Sequence, residues 1–221
     1  MWTIPKIWEG SDVWIIGGGP SVPREFNVPD QIIQKVIKGA SPALYSPYME
    51  KLHSKHVIGV NVAYLLGTWV DIVFFGDTNF WLKYQNSLAN FPGIKISCHS
   101  GVAKIDWVKY CPHDKNHPKG ISMLPGRVSW NENSGSAAIS IAAQSGAKRI
   151  ILLGFDMKLN GANQQHWHNI YGKSTNKRFY AHMIGFKQIA IDAKKLGIEI
   201  INASPDSAIQ EFKKVPVNQL L

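Results

Sequence analysis

The run Val13-Trp14-Ile15-Ile16, followed at once by Gly17-Gly18-Gly19-Pro20-Ser21, constrains this chain more than any other segment. So short an apolar run, with no polar alternation, reads as a strand covered on both faces rather than as a helix. Glycines and a proline directly after it demand a tight turn. Glycine adopts positive φ and lets a ligand approach closely, so successive N–H groups there can converge on a phosphate. Ser21 adds a hydroxyl. The turn lacks the Gly-Lys-Ser/Thr of a Walker loop, and Val22 stands where a full GxGxxG has its last glycine. A tight turn that binds nothing is the plainer reading of the same residues.

Further strands are expected at His56–Asn61, Val70–Phe75, Arg149–Leu153 and Ile198–Asn202, with a weaker one at Ile94–Ser97. A helix should open at Asn133-Ser134 and stop at Gly146; a second should cover Phe179–Leu196 and stop at Gly197. Ser204-Pro205-Asp206 has the cap-then-proline form of a short terminal helix. The alternation predicts an α/β fold, with a mostly parallel sheet and helices on both faces. Ligands of such sheets lie beyond the carboxyl ends of the strands, which singles out Ser21, Asn61, Asp77, Asp156 and Asn202. Residues 98–130, with Pro112, Pro118 and Pro125, read as a lid or inserted segment of one domain spanning 1–221.

A composition of 45% hydrophobic and 18% charged residues argues against disorder. No apolar run reaches the roughly 18 residues of a membrane span, and the first residues lack a signal-peptide layout. With Cys98 and Cys111 as the only cysteines, a disulfide framework is not expected and the cytoplasm is the expected compartment. The 24 Lys+Arg against 15 Asp+Glu give a formal charge of +9, which favours an anionic partner: a nucleotide, a nucleic acid or an acidic glycan. The basic residues fall in modest groups, Lys173/Lys177/Arg178, Lys194/Lys195 and Lys213/Lys214, that a solvated surface explains equally well.

Several other residues are placed for chemistry. Asn133-Ser134-Gly135-Ser136 opens the best helix, where free N–H groups attract anions, although a plain cap uses the same residues. Asp77 and Asp156 follow strands and suit a ribose hydroxyl, a sugar or a metal; simple helix capping, by Asp77 or Thr78 in the first case, is the alternative for both. Asn61 serves a ligand or its own backbone. His166-Trp167-His168 puts two imidazoles on one side of an extended segment, or else forms a solvated loop anchored by Trp167. Cys98, His99, Cys111, His113 and His117 match no compact zinc spacing, so no metal site is assigned and a need for divalent metal stays open. His182, in the first turn of the expected late helix, is a structural histidine or a general base.

Taken together, Gly19-Pro20-Ser21, Asn61, Phe80-Trp81, Ser134-Gly135, Gly154-Phe155-Asp156 and His182 resemble the motif series of the bacterial sialyltransferases of glycosyltransferase family 42. Pro205-Asp206-Ser207-Ala208 is similar to that family's last loop-to-helix junction. The resemblance implies a Rossmann-like, GT-A-like or sialyltransferase-like single domain. It also implies a nucleotide-sugar donor, with CMP as the candidate nucleotide; together with the strand-end reading, Gly17, Gly18, Gly19, Pro20, Ser21, Asn61, Asp77, Ser134, Gly135 and Asp156 are the residues expected to hold it. His182 would be the base for a single inverting displacement. Where the family has tyrosines on the leaving phosphate, this chain has Lys158 and Gln164 or His166, so Lys158, His166 and His168 are the expected stabilisers. In motif wording the chain also resembles bacteriophage proteins labelled morphogenetic, which would place it in a host cytoplasm. That resemblance leaves two alternatives: a transferase that modifies nucleic acid, or a non-catalytic nucleotide-binding or assembly protein.

Overall fold

A computed structural model describes residues 2–170 and 176–221, except for the side chains of residues 176–178. The basic group Lys173/Lys177/Arg178 therefore lies outside the described side chains. Eight strands form one sheet: β1 (Asp12–Ile16), β2 (His56–Val60), β3 (Ile72–Phe75), β4 (Ile94–Ser97), β5 (Lys109–Tyr110), β6 (Arg149–Leu153), β7 (Glu199–Asn202) and β8 (Lys213–Lys214). Their order is β5-β4-β3-β2-β1-β6-β7-β8 and every neighbouring pair is parallel. The helices are α1 (Ser21–Glu25), α2 (Asp30–Ile37), α3 (Thr78–Ala89), α4 (Ser134–Gln144), α5 (Asn176–Met183) and α6 (Phe186–Leu196), joined by short 3-10 segments. This is the expected α/β, Rossmann-like architecture. Among the described residues no helix is long and apolar enough to cross a membrane.

The unbroken apolar strands are explained by burial on both faces. Val13 and Ile15 of β1 pack with Ile150 and Leu152 of β6 against α4 and α6, through Ala138, Ile141, Phe186 and Ile189. Trp14 and Ile16 point the other way with Ile151 and Leu153, onto Val22, Tyr45, Phe80 and Trp167. Alternation along one strand thus feeds two cores, and beyond the ion-paired first residues Asp12 and Arg149 no position on β1 or β6 is polar.

From β1 the chain works outward through β2 to β5, then returns past β1 to lay down β6, β7 and β8. The reversal falls between β1 and β6, where the turns leaving neighbouring strands diverge and open a crevice at their carboxyl ends.

Three expectations change. The late helix is two helices: α5 ends at Met183 and α6 opens after Gly185, where a Cβ would lie 2.6 Å from Asn131 Oδ1. This places His182 in the last turn of α5, not the first turn of a longer helix. Ser204-Pro205-Asp206 forms a turn rather than a helix, since the Ser204 hydroxyl accepts from Gly154 N–H at 3.1 Å and meets Ser21 Oγ at 2.8 Å instead of capping. β8 and the 3-10 turn Val217–Gln219 follow, neither of them expected.

Residues 98–130 contribute β5 to the sheet edge and then pack along α4. Ser122 and Ser129 N–H groups donate to Ser140 Oγ, Gly126 N–H donates to Gln144 Oε1, and Gln144 Nε2 donates to the Ser122 and Arg127 carbonyls. Ile121 N–H donates to Asp192 on α6.

Candidate functional site

The crevice is a cavity of about 680 Å³ at the carboxyl ends of β1, β2, β3 and β6. Gly17, Gly18 and Gly19 line it after β1, Asn61 after β2, Asp77 and Asn79 after β3, and Gly154 to Met157 after β6. Trp130, Glu132, Asn133, Ser134 and Gly135 close one side; His166, His168 and His182 close another. Segments far apart in sequence thus meet at the strand reversal.

The glycine turn is in place, but for a different reason than expected. None of Gly17, Gly18 and Gly19 has a positive φ. Gly17 and Gly19 donate their N–H groups to the Leu153 and Gly154 carbonyls at 2.8 and 2.9 Å, so successive N–H groups do not converge on a phosphate. Glycine is needed for close packing: a Cβ at Gly19 would collide with Asp156 Oδ2 and come within 2.6 Å of the Gly154 carbonyl. Pro20 and Ser21 fall outside the lining. Ser21 Oγ donates to Asp156 Oδ2 at 2.8 Å and meets Ser204 Oγ, so its hydroxyl fixes the β6 turn rather than facing a ligand. Burial pushes the Asp156 carboxyl above the usual carboxylate range, with the Ser21 hydrogen bonds opposing.

Asn61 is the clearest ligand-facing group. Its φ of 52° is left-handed, and its buried Oδ1 accepts no hydrogen bond from any described residue. A buried amide oxygen without a donor costs free energy that a ligand's donor recovers. The alternative of bonding to its own backbone is not what forms. Glu132 (φ 56°) and Met157 (φ 52°) also line the cavity in left-handed conformations. For residues other than glycine such geometry costs about 1–3 kcal/mol each and clusters at ligand clamps.

Asp77 occupies the cap position of α3 without a side-chain cap hydrogen bond, so simple capping does not explain it. Asn133, in contrast, is a full cap: its Oδ1 accepts from the N–H groups of Gly135 at 2.8 Å and Ser136 at 3.3 Å. Part of the donor set of the α4 start is therefore occupied by protein, while Ser134 and Gly135 still face the cavity.

His166 and His168 lie on one side of their segment, as the spacing implies, with rings stacked 4.9 Å apart at 6°. Trp167 points into the opposite core; its Nε1 donates to the Gly17 carbonyl at 2.9 Å and its N–H to Gly18 at 3.0 Å. The anchoring tryptophan and the paired imidazoles are both real, and each positions the other. Burial pulls the pKa of His166 down to about 4 and that of His168 to about 2. Both rings are neutral near pH 7. Ile170 N–H donates to His168 Nδ1 at 3.2 Å, so the neutral ring carries its proton on Nε2. They therefore act as hydrogen-bonding groups, not as cations. Lys158 is exposed and outside the cavity lining; its charge reaches Asp156.

Among the described residues the lining carries Asp77, Glu132 and Asp156 but no lysine or arginine. Asn79, Trp130, Glu132, Met157, Gln165 and Phe179 line it without having been singled out. Phe80 and Trp81, named by the family resemblance, are buried beside Phe75 at ring separations of 5.2 and 5.9 Å. Asn202, one of the strand-end residues, is fully buried and accepts from Ser204 N–H. The Cys98 and Cys111 thiols are buried and pushed up to about 12. His113 stacks on Trp130, and His117 Nε2 bonds Asp192 at 2.8 Å. No group of three or more His, Cys, Asp or Glu is placed to hold a metal among the described residues.

No protein-family model matches the sequence, and no curated protein sequence matches it either. Solved structures share its fold. The MAf glycosyltransferase of Magnetospirillum magneticum superposes with a TM-score of 0.62 at 11% identity, over 100% of this chain and 36% of that one. The present chain thus spans about a third of that relative. The sialyltransferase CstII of Campylobacter jejuni, in complex with the substrate analogue CMP-3FNeuAc, superposes with a TM-score of 0.53 at 14% identity, over 93% of this chain and 86% of that one. At these identities the likeness is one of fold: a parallel Rossmann-like sheet shared with glycosyltransferases.

Proposed function

We propose that the chain is a glycosyltransferase that moves a sugar from a nucleotide-linked donor to an acceptor hydroxyl. The carrying observation is the convergence of Asn61 Oδ1, His166, His168 and His182 on one cavity at the β1/β6 reversal. The fold likeness to a sialyltransferase crystallised with a CMP-sugar analogue makes a CMP-linked donor the first to try. Asn61 accepts from the base or ribose, and Asp77 and Asn79 take ribose or sugar hydroxyls, which donate well to carboxylates. Ser134 and Gly135, with the Gly17–Gly19 turn, shape the wall against which the nucleotide lies.

In the reaction His182 accepts the acceptor's hydroxyl proton as its oxygen attacks the anomeric carbon. The bond from that carbon to the phosphate oxygen breaks on the opposite face, so the nucleotide leaves and the configuration inverts. His168, a neutral group on the cavity wall, stabilises the charge growing on the leaving phosphate by hydrogen bonding. His166 stacks beneath it, and Lys158 supplies only a distant field.

Incubation with a panel of nucleotide sugars, with and without divalent metal, tests the reading through release of free nucleotide. One donor should turn over. Nucleotide binding with no turnover across the panel would instead identify a non-catalytic binding protein. The charge of +9 favours a second reading in which nucleic acid is the acceptor; it requires DNA binding that weakens steeply with salt, and no binding at low salt removes it.

A further inference from the structure

A second cavity, of about 310 Å³, opens at the carboxyl ends of β3, β4 and β5. Gly76, Cys98, His99, Ser100, Tyr110, Pro112, His113, Lys115 and Arg127 line it. Its electrostatics invert those of the first. Lys115 and Arg127 are present, no carboxylate belongs to the lining, and neither cation enters an ion pair among the described residues. Arg127 Nη1 donates to the His113 carbonyl at 3.2 Å, which fixes the guanidinium at the wall and leaves its other donors for a ligand. The hydroxyls of Ser100 and Tyr110 stand on the same lining.

The two cavities are neighbours. Trp130 lines the first and stacks at 5.0 Å and 20° on His113, which lines the second. Gly76 lines the second and Asp77 the first, and a Cβ on Gly76 would lie 2.6 Å from Trp130. A molecule seated in the second cavity is thus one indole away from the reaction cavity.

We propose that this second cavity binds an oxyanion, a carboxylate or phosphate group of the acceptor, through Arg127 and Lys115. Two cations that enter no ion pair among the described residues, with Ser100 and Tyr110 on the same wall and no carboxylate in the lining, form a receptor for a single anionic group. Seating that group across the Trp130 wall holds the rest of the acceptor toward the donor, which orients its hydroxyl. The link to the acceptor rests on the transferase reading; the oxyanion chemistry does not.

The full chain titrated with glucose 6-phosphate, glucuronate and neutral glucose tests the site, read by the imidazole resonances of His99 and His113. His99→Gln and His113→Gln variants assign those signals. One or both anions should bind at least about tenfold more tightly than glucose, and the phosphate and carboxylate arms identify the source. The double variant Lys115→Gln/Arg127→Gln should lose that margin while its affinity for CMP stays within about twofold of the parent's. If the double variant does not fold, Lys115→Gln alone, a change at an exposed side chain, should still weaken anion binding severalfold. Anions that bind no better than glucose, or variants that bind them as the parent does, overturn the proposal. CMP measured in the same samples separates the two readings, because absence of CMP binding in the parent counts against the first cavity alone.

Discussion

The two cavities are built from successive turns of one sheet edge, yet they are opposite in charge. Among the described residues, the larger one has three carboxylates and two neutral, stacked histidines; the smaller has Lys115 and Arg127 and no carboxylate. The excess of nine positive charges is not focused, among the described residues, on the lining of the larger cavity. Among those same described residues, the larger cavity offers a nucleotide neutral donors, whereas the smaller one offers an anion two cations. A phosphate held by neutral hydrogen bonds is released more readily than one held by a lysine or arginine. That suits the proposed transfer, whose product would be a free nucleotide.

The largest expected effect breaks the chemistry while sparing the architecture. His182→Ala should lower transfer by about 10²–10⁴-fold, with nucleotide affinity and melting temperature close to the parent's. Full transfer by that variant would remove His182 as the base. Next comes the packing of the glycine turn. Gly19→Ala forces a methyl group against Asp156 and the Gly154 carbonyl, and should cost about 1–3 kcal/mol. A chemical denaturation midpoint unchanged by Gly19→Ala would show that the turn relaxes without consequence.

The neutral histidines give a pH signature. In the unfolded chain each titrates near its ordinary value of 6.5; in the folded chain burial lowers them to about 4 and about 2. Between those limits the unfolded state binds more protons, so their contribution falls as pH drops below 6.5, by up to about 1.4 kcal/mol per pH unit each. Asp156, whose pKa is raised, works in the opposite sense at the lower end. His168→Gln should thus flatten the acid limb of stability between pH 6.5 and 4, as measured by urea melts. An unchanged slope would mean that the ring is already solvated. The smallest effect concerns the wall between the cavities. Burial lowers the His113 pKa and the Glu132 charge opposes that lowering, so Glu132→Gln should move its NMR titration to lower pH. No movement would uncouple the two cavities.

Much of the architecture was legible in the sequence because β1, β2, β3 and β6 are buried on both faces, which leaves unbroken apolar runs bounded by turns. The strand ends then located Asn61, Asp77 and Asp156, since a parallel sheet presents its ligands there. What was hidden depends on tertiary contacts. Ser21 reads as a ligand group until Ser204, 183 residues away, is seen to share its hydroxyl with Asp156. Gly185 sits where Asn131 leaves no room for a Cβ, a contact that helical periodicity does not record. β8 is the pair Lys213-Lys214, charged residues that carry no strand pattern. Trp130 and Glu132 reach the cavity at a left-handed turn, Asn131-Glu132, between the irregular segment and α4, and helical or strand periodicity does not mark that turn.

The central claim is that the cavity at the β1/β6 reversal is a nucleotide site organised around Asn61. Calorimetric titration of the parent and of Asn61→Gly with CMP, other nucleotides and their sugar conjugates tests it most directly. Glycine keeps the left-handed backbone and removes only the amide. The account predicts that at least one nucleotide binds the parent and that Asn61→Gly weakens it by about tenfold or more, with little change in melting temperature. Equal affinity in both proteins, or no nucleotide bound by the parent, would contradict it.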